Sequence, residues 1–371
     1  FNFYIYISIF FIILYFNKNE TFFFEKKIFF FLLIMVIYSL FQFFRPDPEF
    51  VYLFASNTIL AKFGNIFYGP MFLIPLFILW GLKKEAIYHF EKISLYSIKL
   101  GLFLFPFCLL FNTKLPLVTF LPSFFLLGSY KYSNSQRKIW IILGIIFSFI
   151  IFYLENYRAG ILRLLLGIFA FYIIFFNFNY LRKILKIFCF IFPIILVQNT
   201  LASDSSLFQK IANFFSDTEY KSLTLDTRTF LYKETIEDLK LNKNLIYGKG
   251  PLGSYYSPNF GMLGFVDIYS SPDHYVRSTV EVGLLHMLLK GGLFYIFLIL
   301  LIHAYVSNQK SENLYIKYLI LISSLYFLLL SIENRPIFDY LNALIWIIIG
   351  IVCSNSKNLT EKEIKDTIYR L

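Results

Sequence analysis

Lys138-Ile-Trp-Ile-Ile-Leu-Gly-Ile-Ile-Phe-Ser-Phe-Ile-Ile-Phe-Tyr-Leu154 is typical of the stretches that decide this fold, because one lysine opens it and no charged residue follows. Such a run is long enough to cross the hydrocarbon core of a bilayer as an α-helix. The whole 371-residue chain shares this character, with 58% hydrophobic and 15% charged residues. A soluble domain of this length needs far more polar surface, which indicates an integral membrane protein.

Apolar runs of similar length recur along the chain. They lie at about 1–16, 27–44, 66–82, 94–111, 115–130, 138–154, 160–177, 183–200, 280–302, 313–331 and 335–352. We therefore predict an all-α polytopic membrane protein with about 11 visible transmembrane helices. The run 1–16 is short for a span and begins without Met. We expect the sequence to lack its beginning, and the full protein to have 12 spans.

The basic residues of the connections predict the orientation. Alternate connections hold Lys18, Lys26, Lys27, Lys83, Lys84, Lys92, Lys131, Arg137, Lys138, Arg182, Lys183, Lys186, Lys310, Lys317, Lys357, Lys362 and Lys365. The other short connections hold only Arg45, Lys62, Lys114, Arg158 and Arg335. Because cytoplasmic loops carry the excess of Lys and Arg, the first set is predicted to be cytoplasmic. The composition, which fits an AT-rich bacterial genome, then predicts a multi-pass protein of the bacterial inner membrane.

One connection is much longer than the others. Residues 201–279 follow the predicted spans of 1–200 and precede those of 280–352, and 353–371 form a cytoplasmic tail. This large external loop has eight Lys and Arg and nine Asp and Glu, so the net charge of +11 lies mainly on the cytoplasmic side and predicts no nucleic-acid partner. A loop of this length is expected to fold and to carry function.

The large loop contains a helix signal and a glycine pattern. Tyr232, Ile236 and Leu239 have helical spacing within 228–242. Next, Ile246-Tyr-Gly-Lys-Gly-Pro-Leu-Gly-Ser-Tyr-Tyr256 matches G-x-G-x-x-G. A dinucleotide fingerprint follows a buried strand and opens a helix, whereas this one follows a predicted helix. We predict that Gly248 and Gly250 form a tight turn that shapes the floor of an external site.

Three polar clusters share the predicted external face. They are Glu155-Asn-Tyr-Arg158, the large loop, and Ser331-Ile-Glu333-Asn-Arg335. Ionisable residues at the ends of spans are costly unless they are paired or functional. In a purely structural interpretation, Glu155 with Arg158 and Glu333 with Arg335 form ion pairs that snorkel to the interface.

Several motifs in this order resemble those of the O-antigen polymerase and O-antigen ligase superfamily, which are polytopic glycosyltransferases of GT-C type. Tyr157-Arg158-Ala-Gly-Ile-Leu162 is similar to an arginine-containing helix start of that family. Arg228, a helix and Asn244-Leu-Ile-Tyr-Gly-Lys-Gly250 are similar to a stretch of its large external loop. Ser271-Pro-Asp-His274-Tyr-Val276, with Glu281-Val-Gly283 and Lys290-Gly-Gly292, is similar to its histidine motif and next span. The resemblance covers about 140–352, and Asn244 and Tyr275 depart from the family's usual Pro and Asn.

The resemblance implies a metal-independent enzyme without a cofactor, whose donor is an oligosaccharide on undecaprenyl diphosphate. Arg158 and Arg228 are the predicted ligands of the diphosphate leaving group, because a guanidinium stays protonated and binds phosphate in a bidentate manner. His274, the single histidine on the predicted external face, is the predicted base for the acceptor hydroxyl. The chain has no Walker lysine motif and no paired Cys or His cluster with the spacing of metal ligands.

Further residues are predicted to bind substrate. They are Arg277, Glu281, Glu333, Arg335, Gly248 and Gly250. Arg277 serves equally well as a snorkelling anchor, and an acidic residue such as Glu281 is also favourable at the start of a helix.

Three functions stay open at this stage. The first is a polymerase of lipid-linked repeat units for O-antigen or capsule, with membrane lipids, a chain-length regulator and a flippase as implied partners. The second is a ligase that transfers the finished glycan to a lipid or protein acceptor. The third, from another class, is a flippase or transporter for a lipid-linked sugar, which predicts ionisable groups near the midplane and two related halves.

Overall fold

The computed structural model describes residues 26–45, 70–111, 119–155, 157–202, 227–262, 275–333 and 339–369. It is helical almost throughout. The first helices are α1 Lys26–Phe44, α2 Ile78–Gly81 with the 3-10 helix Pro70–Phe77 before it, α3 Ala86–Phe111, α4 Ser135–Leu154, α5 Arg158–Phe175 and α6 Asn179–Ala202. After them come α7 Thr227–Leu241, β1 Tyr255–Tyr256, α8 Pro258–Met262, β2 Val276–Arg277, α9 Gly283–Ser307, α10 Leu314–Ile332, α11 Tyr340–Cys353 and α12 Glu361–Tyr369. Two further 3-10 helices are Leu121–Tyr132 and Asn355–Asn358.

The predicted helical fold is confirmed, and its apolar helices are consistent with an integral membrane protein. Among the described residues, five helices are long and apolar enough to cross a bilayer: Lys27–Phe44, Ser135–Leu154, Asn179–Leu201, Gly283–Ser307 and Leu314–Ile332. Shorter apolar helices are Met71–Gly81, Ala159–Phe175 and Tyr340–Cys353. The predicted count of eleven spans is not confirmed, and the run 1–16 lies outside the described residues.

Parts of two predicted spans form 3-10 helix instead of the α-helix that the sequence predicts. Residues 121–132 are 3-10 throughout, and 70–77 are 3-10 before α2 begins. A 3-10 helix rises about 2.0 Å per residue, so twelve residues reach about 24 Å. These runs therefore span a greater distance than α-helices with the same number of residues.

The helices form a bundle with α10 and α11 at its centre. The buried positions of α10 include its polar Ser323 and Ser324. Where α2 crosses α11, a Cβ on Gly350 would lie 2.2 Å from the carbonyl oxygen of Ile78, so only glycine permits this close approach. The outer helices α1, α4 and α6 instead expose large apolar side chains, among them Ile37, Phe149 and Ile194. An apolar exterior of this kind is the surface that a bilayer covers.

Candidate functional site

The described parts of the large loop have a hydrophobic core of their own. It joins Leu231, Tyr232, Ile236 and Leu239 of α7 to residues of the first half of α9, and Leu196 of α6 also belongs to it. The helical spacing predicted for α7 is thereby confirmed. We call residues 227–262 and 275–291 the loop platform. The Tyr232 hydroxyl donates a 2.6 Å hydrogen bond to the carbonyl of Ser331, so the platform sits on the end of α10 that is predicted to be external.

The platform is joined to the bundle at a break in α9. Gly292 has a φ of 68° and a ψ of −173°, so the helical path is interrupted there. The amides of Leu293 and Phe294 donate to Leu245 and Ile246, at 2.9 and 3.2 Å. In a continuous helix these amides would donate to the carbonyls of 289 and 290. Those two carbonyls instead accept from Lys249 and Gly250, at 2.7 and 3.0 Å. The segment 245–250 therefore replaces one turn of helical bonding.

This docking requires the glycines of the G-x-G pattern. Gly248 and Gly250 have φ values of 68° and 86°, which side-chain-bearing residues rarely adopt. A Cβ on Gly248 would lie 2.6 Å from the carbonyl of Lys290. The predicted turn is confirmed. The Gly250 amide donates to Lys290, and the Gly248 amide donates to Asn244 at 2.7 Å. Substrate binding by Gly248 and Gly250 stays a prediction.

The end of α1 also forms hydrogen bonds with the segment 245–250 and with the α9 break. The Tyr38 hydroxyl donates to the carbonyl of Gly291 at 2.5 Å, and the Gln42 amide donates to that of Tyr247 at 2.7 Å. The Arg45 guanidinium donates to the carbonyl of Gly248 at 2.5 Å. The α9 break therefore lies level with the last two turns of α1. It is near one surface of the bundle and not at its middle.

Two buried lysines stabilise the platform, and neither was predicted to have a role. Lys249 is completely buried, and its ammonium lies 2.7 Å from the carboxylate of Asp238 in α7. Lys290 is completely buried as well and donates to the carbonyl of Gly253 at 2.6 Å. Their signal in the sequence is a lysine within a glycine-rich, apolar setting, where burial is tolerated only with a partner.

A second polar group lies around β1 and β2. These strands pair antiparallel, with Tyr255 opposite Arg277, and the guanidinium of Arg277 lies 2.9 Å from the carboxylate of Glu281. Burial raises the pKa of Tyr255, which therefore stays a neutral phenol. Glu234 of α7 accepts hydrogen bonds from the Ser257 hydroxyl at 2.5 Å and the Asn259 amide side chain at 2.7 Å. The predicted substrate residues Arg277 and Glu281 thus form an ion pair with each other.

Two exposed tyrosines stack beside this group. The rings of Tyr256 and Tyr275 have centroids 5.8 Å apart and planes inclined by 24°. Tyr256 is 52% exposed and Tyr275 is 37% exposed, so the pair presents an apolar surface. A Cβ on Gly261 would lie 2.1 Å from the Tyr275 ring, so this glycine makes room for the stack.

The three predicted catalytic residues are only partly placed. Arg158 is the first residue of α5, and Arg228 lies one turn before Tyr232 in α7; their side chains are not described. His274 and Arg335 lie outside the described residues, although His274 immediately precedes Tyr275. Glu333 directly follows α10 and has an extended backbone conformation. The structure brings together α7, the Arg277–Glu281 pair and the end of α10.

Arg163 is a further buried polar residue and was not among the predicted site residues. It lies in α5, is 7% exposed, and donates to the Tyr157 hydroxyl at 2.6 Å. A small cavity beside it is lined by Tyr326 and Gly167 among others. An arginine inside an apolar helix is costly and usually has a function. In the sequence, a second arginine five residues after Arg158, inside an apolar run, could have indicated this residue.

In the part of the chain that the structure describes, no three His, Cys, Asp or Glu side chains are grouped as metal ligands. The described part of the platform presents cationic, acidic and aromatic side chains at the end of a helix bundle. No protein-family model, curated protein or solved structure matches the chain.

Proposed function

We propose that the chain is a polymerase that joins oligosaccharide repeat units, carried on a polyprenyl diphosphate such as undecaprenyl diphosphate, at the outer face of the bacterial inner membrane. One observation carries this proposal. The loop platform is a folded unit that holds α7, the Arg277–Glu281 pair and the Tyr256–Tyr275 stack at one end of an apolar bundle. A lipid-linked sugar offers the same combination, since its diphosphate lies at the membrane surface and its sugars lie above it.

The proposed reaction assigns a role to each predicted residue. His274 takes the proton of the acceptor hydroxyl, whose oxygen attacks the anomeric carbon of the donor. The bond from that carbon to the diphosphate oxygen breaks, and the electron pair leaves with the diphosphate. Arg158 and Arg228 bind the growing negative charge, a contribution of about 3–4 kcal/mol for each preorganised donor. The acceptor sugar stacks on Tyr256 and Tyr275.

A ligase is the runner-up within the same chemistry, because only the acceptor differs. A flippase is the alternative from another class. The break in α9 is the observation that favours it, because broken helices are common at the binding sites of transporters. In α9, however, the chain's own residues 245–250 occupy the freed backbone groups. The break also lies beside the last turns of α1, whereas transporter sites lie near the midplane. We therefore prefer surface chemistry.

The experiment is a gel of surface glycan in cells that carry the full-length protein or one variant. Arg158→Ala, Arg228→Ala and His274→Ala are each expected to leave a single repeat unit on the acceptor. Lys240→Ala is the matched control, because it removes an exposed basic residue from the same helix as Arg228. Arg228→Lys is expected to restore part of the length, since lysine keeps the charge but not the bidentate geometry.

The alternatives are distinguished when lipid-linked glycan from the same cells is analysed beside the surface glycan. Polymer that accumulates on the lipid carrier, with none on the acceptor, indicates a ligase. Repeat units retained on the cytoplasmic side indicate a flippase. Full-length glycan in all three variants, at normal protein levels, would contradict the assigned site.

A further inference from the structure

A basic cavity lies at the opposite end of the bundle from the loop platform. It occupies about 700 Å³ between the start of α6, the end of α9 and the start of α10. Its lining includes five basic residues, namely Arg182, Lys183, Lys186, Lys310 and Lys317. These positions belong to the connections that the lysine pattern predicts to be cytoplasmic.

The charge of this cavity is poorly balanced by the protein itself. Among the described residues that line it, Glu312 is the single acidic one, and Glu361 of α12 also attracts Lys317. The Lys186 ammonium donates to the carbonyl of Ser307 at 2.6 Å, which satisfies one orphan carbonyl at the end of α9. The loop platform differs, because its buried Lys249 has a carboxylate partner. Five cations around one cavity favour an anionic ligand with several oxygen acceptors.

The cavity changes from charged to apolar along α6. Ile187, Phe190 and Ile320 also line it. Along the helix, Arg182 and Phe190 are separated by about 12 Å of rise. On the outer face of α6, Ile187 and Ile191 are 59% and 48% exposed. A ligand that fills the whole cavity therefore has an anionic end and an apolar end.

We propose that this cavity binds the phosphate head group of an anionic membrane phospholipid, with its acyl chains along Ile187, Phe190 and the exposed face of α6. Basic pockets between transmembrane helices on the cytoplasmic side are suited to such head groups. Arg182 supplies a planar fork for two phosphate oxygens, and the lysines supply point charges. The bound lipid would tie α6, most of whose surface is exposed, to α9 and α10.

The test measures lipid binding to the purified full chain in detergent by native mass spectrometry. Phosphatidylglycerol and phosphatidylcholine with the same acyl chains are compared, and we expect retention of the former. Arg182→Gln/Lys186→Gln/Lys317→Gln is expected to weaken phosphatidylglycerol binding by about five-fold for each charge removed. Lys84→Gln/Lys362→Gln/Lys365→Gln is the matched control, because it removes three exposed basic residues from the same predicted face.

Equal retention of the two lipids, or equal phosphatidylglycerol binding by the triple variant and its control, would overturn the proposal. A separate arm measures the thermal midpoint with inorganic phosphate or pyrophosphate in place of lipid. Stabilisation by either anion as large as that by phosphatidylglycerol would assign the cavity to a soluble phosphate ligand. If the triple variant unfolds at a lower temperature without lipid, the single variant Arg182→Gln replaces it. The proposal then requires that Arg182→Gln lowers the ratio of bound phosphatidylglycerol to bound phosphatidylcholine.

Discussion

Gly248 and Gly292 face each other where the loop platform meets α9. Both have a φ of 68°, and a Cβ on Gly292 would lie 2.2 Å from the carbonyl of Ile246. A glycine pattern that matches a dinucleotide fingerprint thus serves a backbone contact between two distant segments. The residue type could be predicted from the sequence, but the partner could not, because it lies more than forty positions away.

Gly248→Ala is expected to destabilise the protein, because the left-handed backbone costs an L-residue about 1–2 kcal/mol and the added methyl meets Lys290. The measurement is the midpoint of thermal unfolding in detergent. Lys243→Gly is the control, since Lys243 already has a φ of 57° and glycine adopts it without strain. An equal loss in both variants would contradict the role of the Gly248 conformation.

Lys249→Met is expected to cost about 3–5 kcal/mol, because it leaves the carboxylate of Asp238 in a largely buried position without its cation. Lys249→Met/Asp238→Leu is expected to recover part of this loss, since no buried charge is then left over. A double-mutant cycle on unfolding midpoints measures the coupling. Additive losses would show that the two side chains contribute independently.

At the scale of elements, α9 differs most from its sequence prediction. The run 280–302 predicts one continuous span, whereas the structure has two half-helices joined at Gly291–Gly292. A break in a helix is stable in an apolar setting only if other groups bond the freed amides and carbonyls. Residues 245–250 provide those groups. Hydrophobic periodicity carries no information about such a partner.

Gly291→Ala/Gly292→Ala is expected to favour a continuous α9 and to release residues 244–250. Amide hydrogen exchange in that segment should then rise, while exchange in α10 stays unchanged. Gly350→Ala is the control, because it crowds the α2–α11 contact and leaves the platform untouched. Unchanged protection of 244–250 in the double variant would contradict the docking.

The tail helix α12 is expected to lose stability at acidic pH. The amide and hydroxyl of Thr360 donate to Glu363, and these bonds hold the pKa of Glu363 below its usual value of about 4.5. A lowered pKa in the folded state contributes stability above pH 4.5 that is lost as the pH falls through the folded pKa. Hydrogen exchange of α12 between pH 6 and about pH 3 measures this. Glu363→Gln should remove the part of the pH dependence that this cap contributes.

At the scale of the whole molecule, the loop platform and the basic cavity lie at opposite ends of α6, α9 and α10. The lysine pattern predicts that the platform faces outward and that the cavity and tail face the cytoplasm. Five long apolar helices are consistent with a membrane position, and the direction of the chain in the membrane is a prediction from its charges.

A membrane-impermeant thiol reagent tests the orientation. In a variant with alanine at Cys108, Cys189 and Cys353, Tyr256→Cys is expected to react in intact spheroplasts. Tyr369→Cys, at a similarly exposed position of α12, is expected to react only after permeabilisation. The opposite pattern would invert the topology and place the proposed active site inside the cell.

The sequence by itself determined the membrane class, the helical fold and the position of α7, because apolar content and helical period are local properties of the chain. It also supplied the motifs behind the proposed function, among them Arg158, Arg228 and His274. Only the tertiary structure decided the break in α9, the carboxylate partner of Lys249 and the basic cavity between three helices. Each of these depends on contacts between residues far apart in sequence. The strength of such contacts depends on burial, which exists only once the chain has folded.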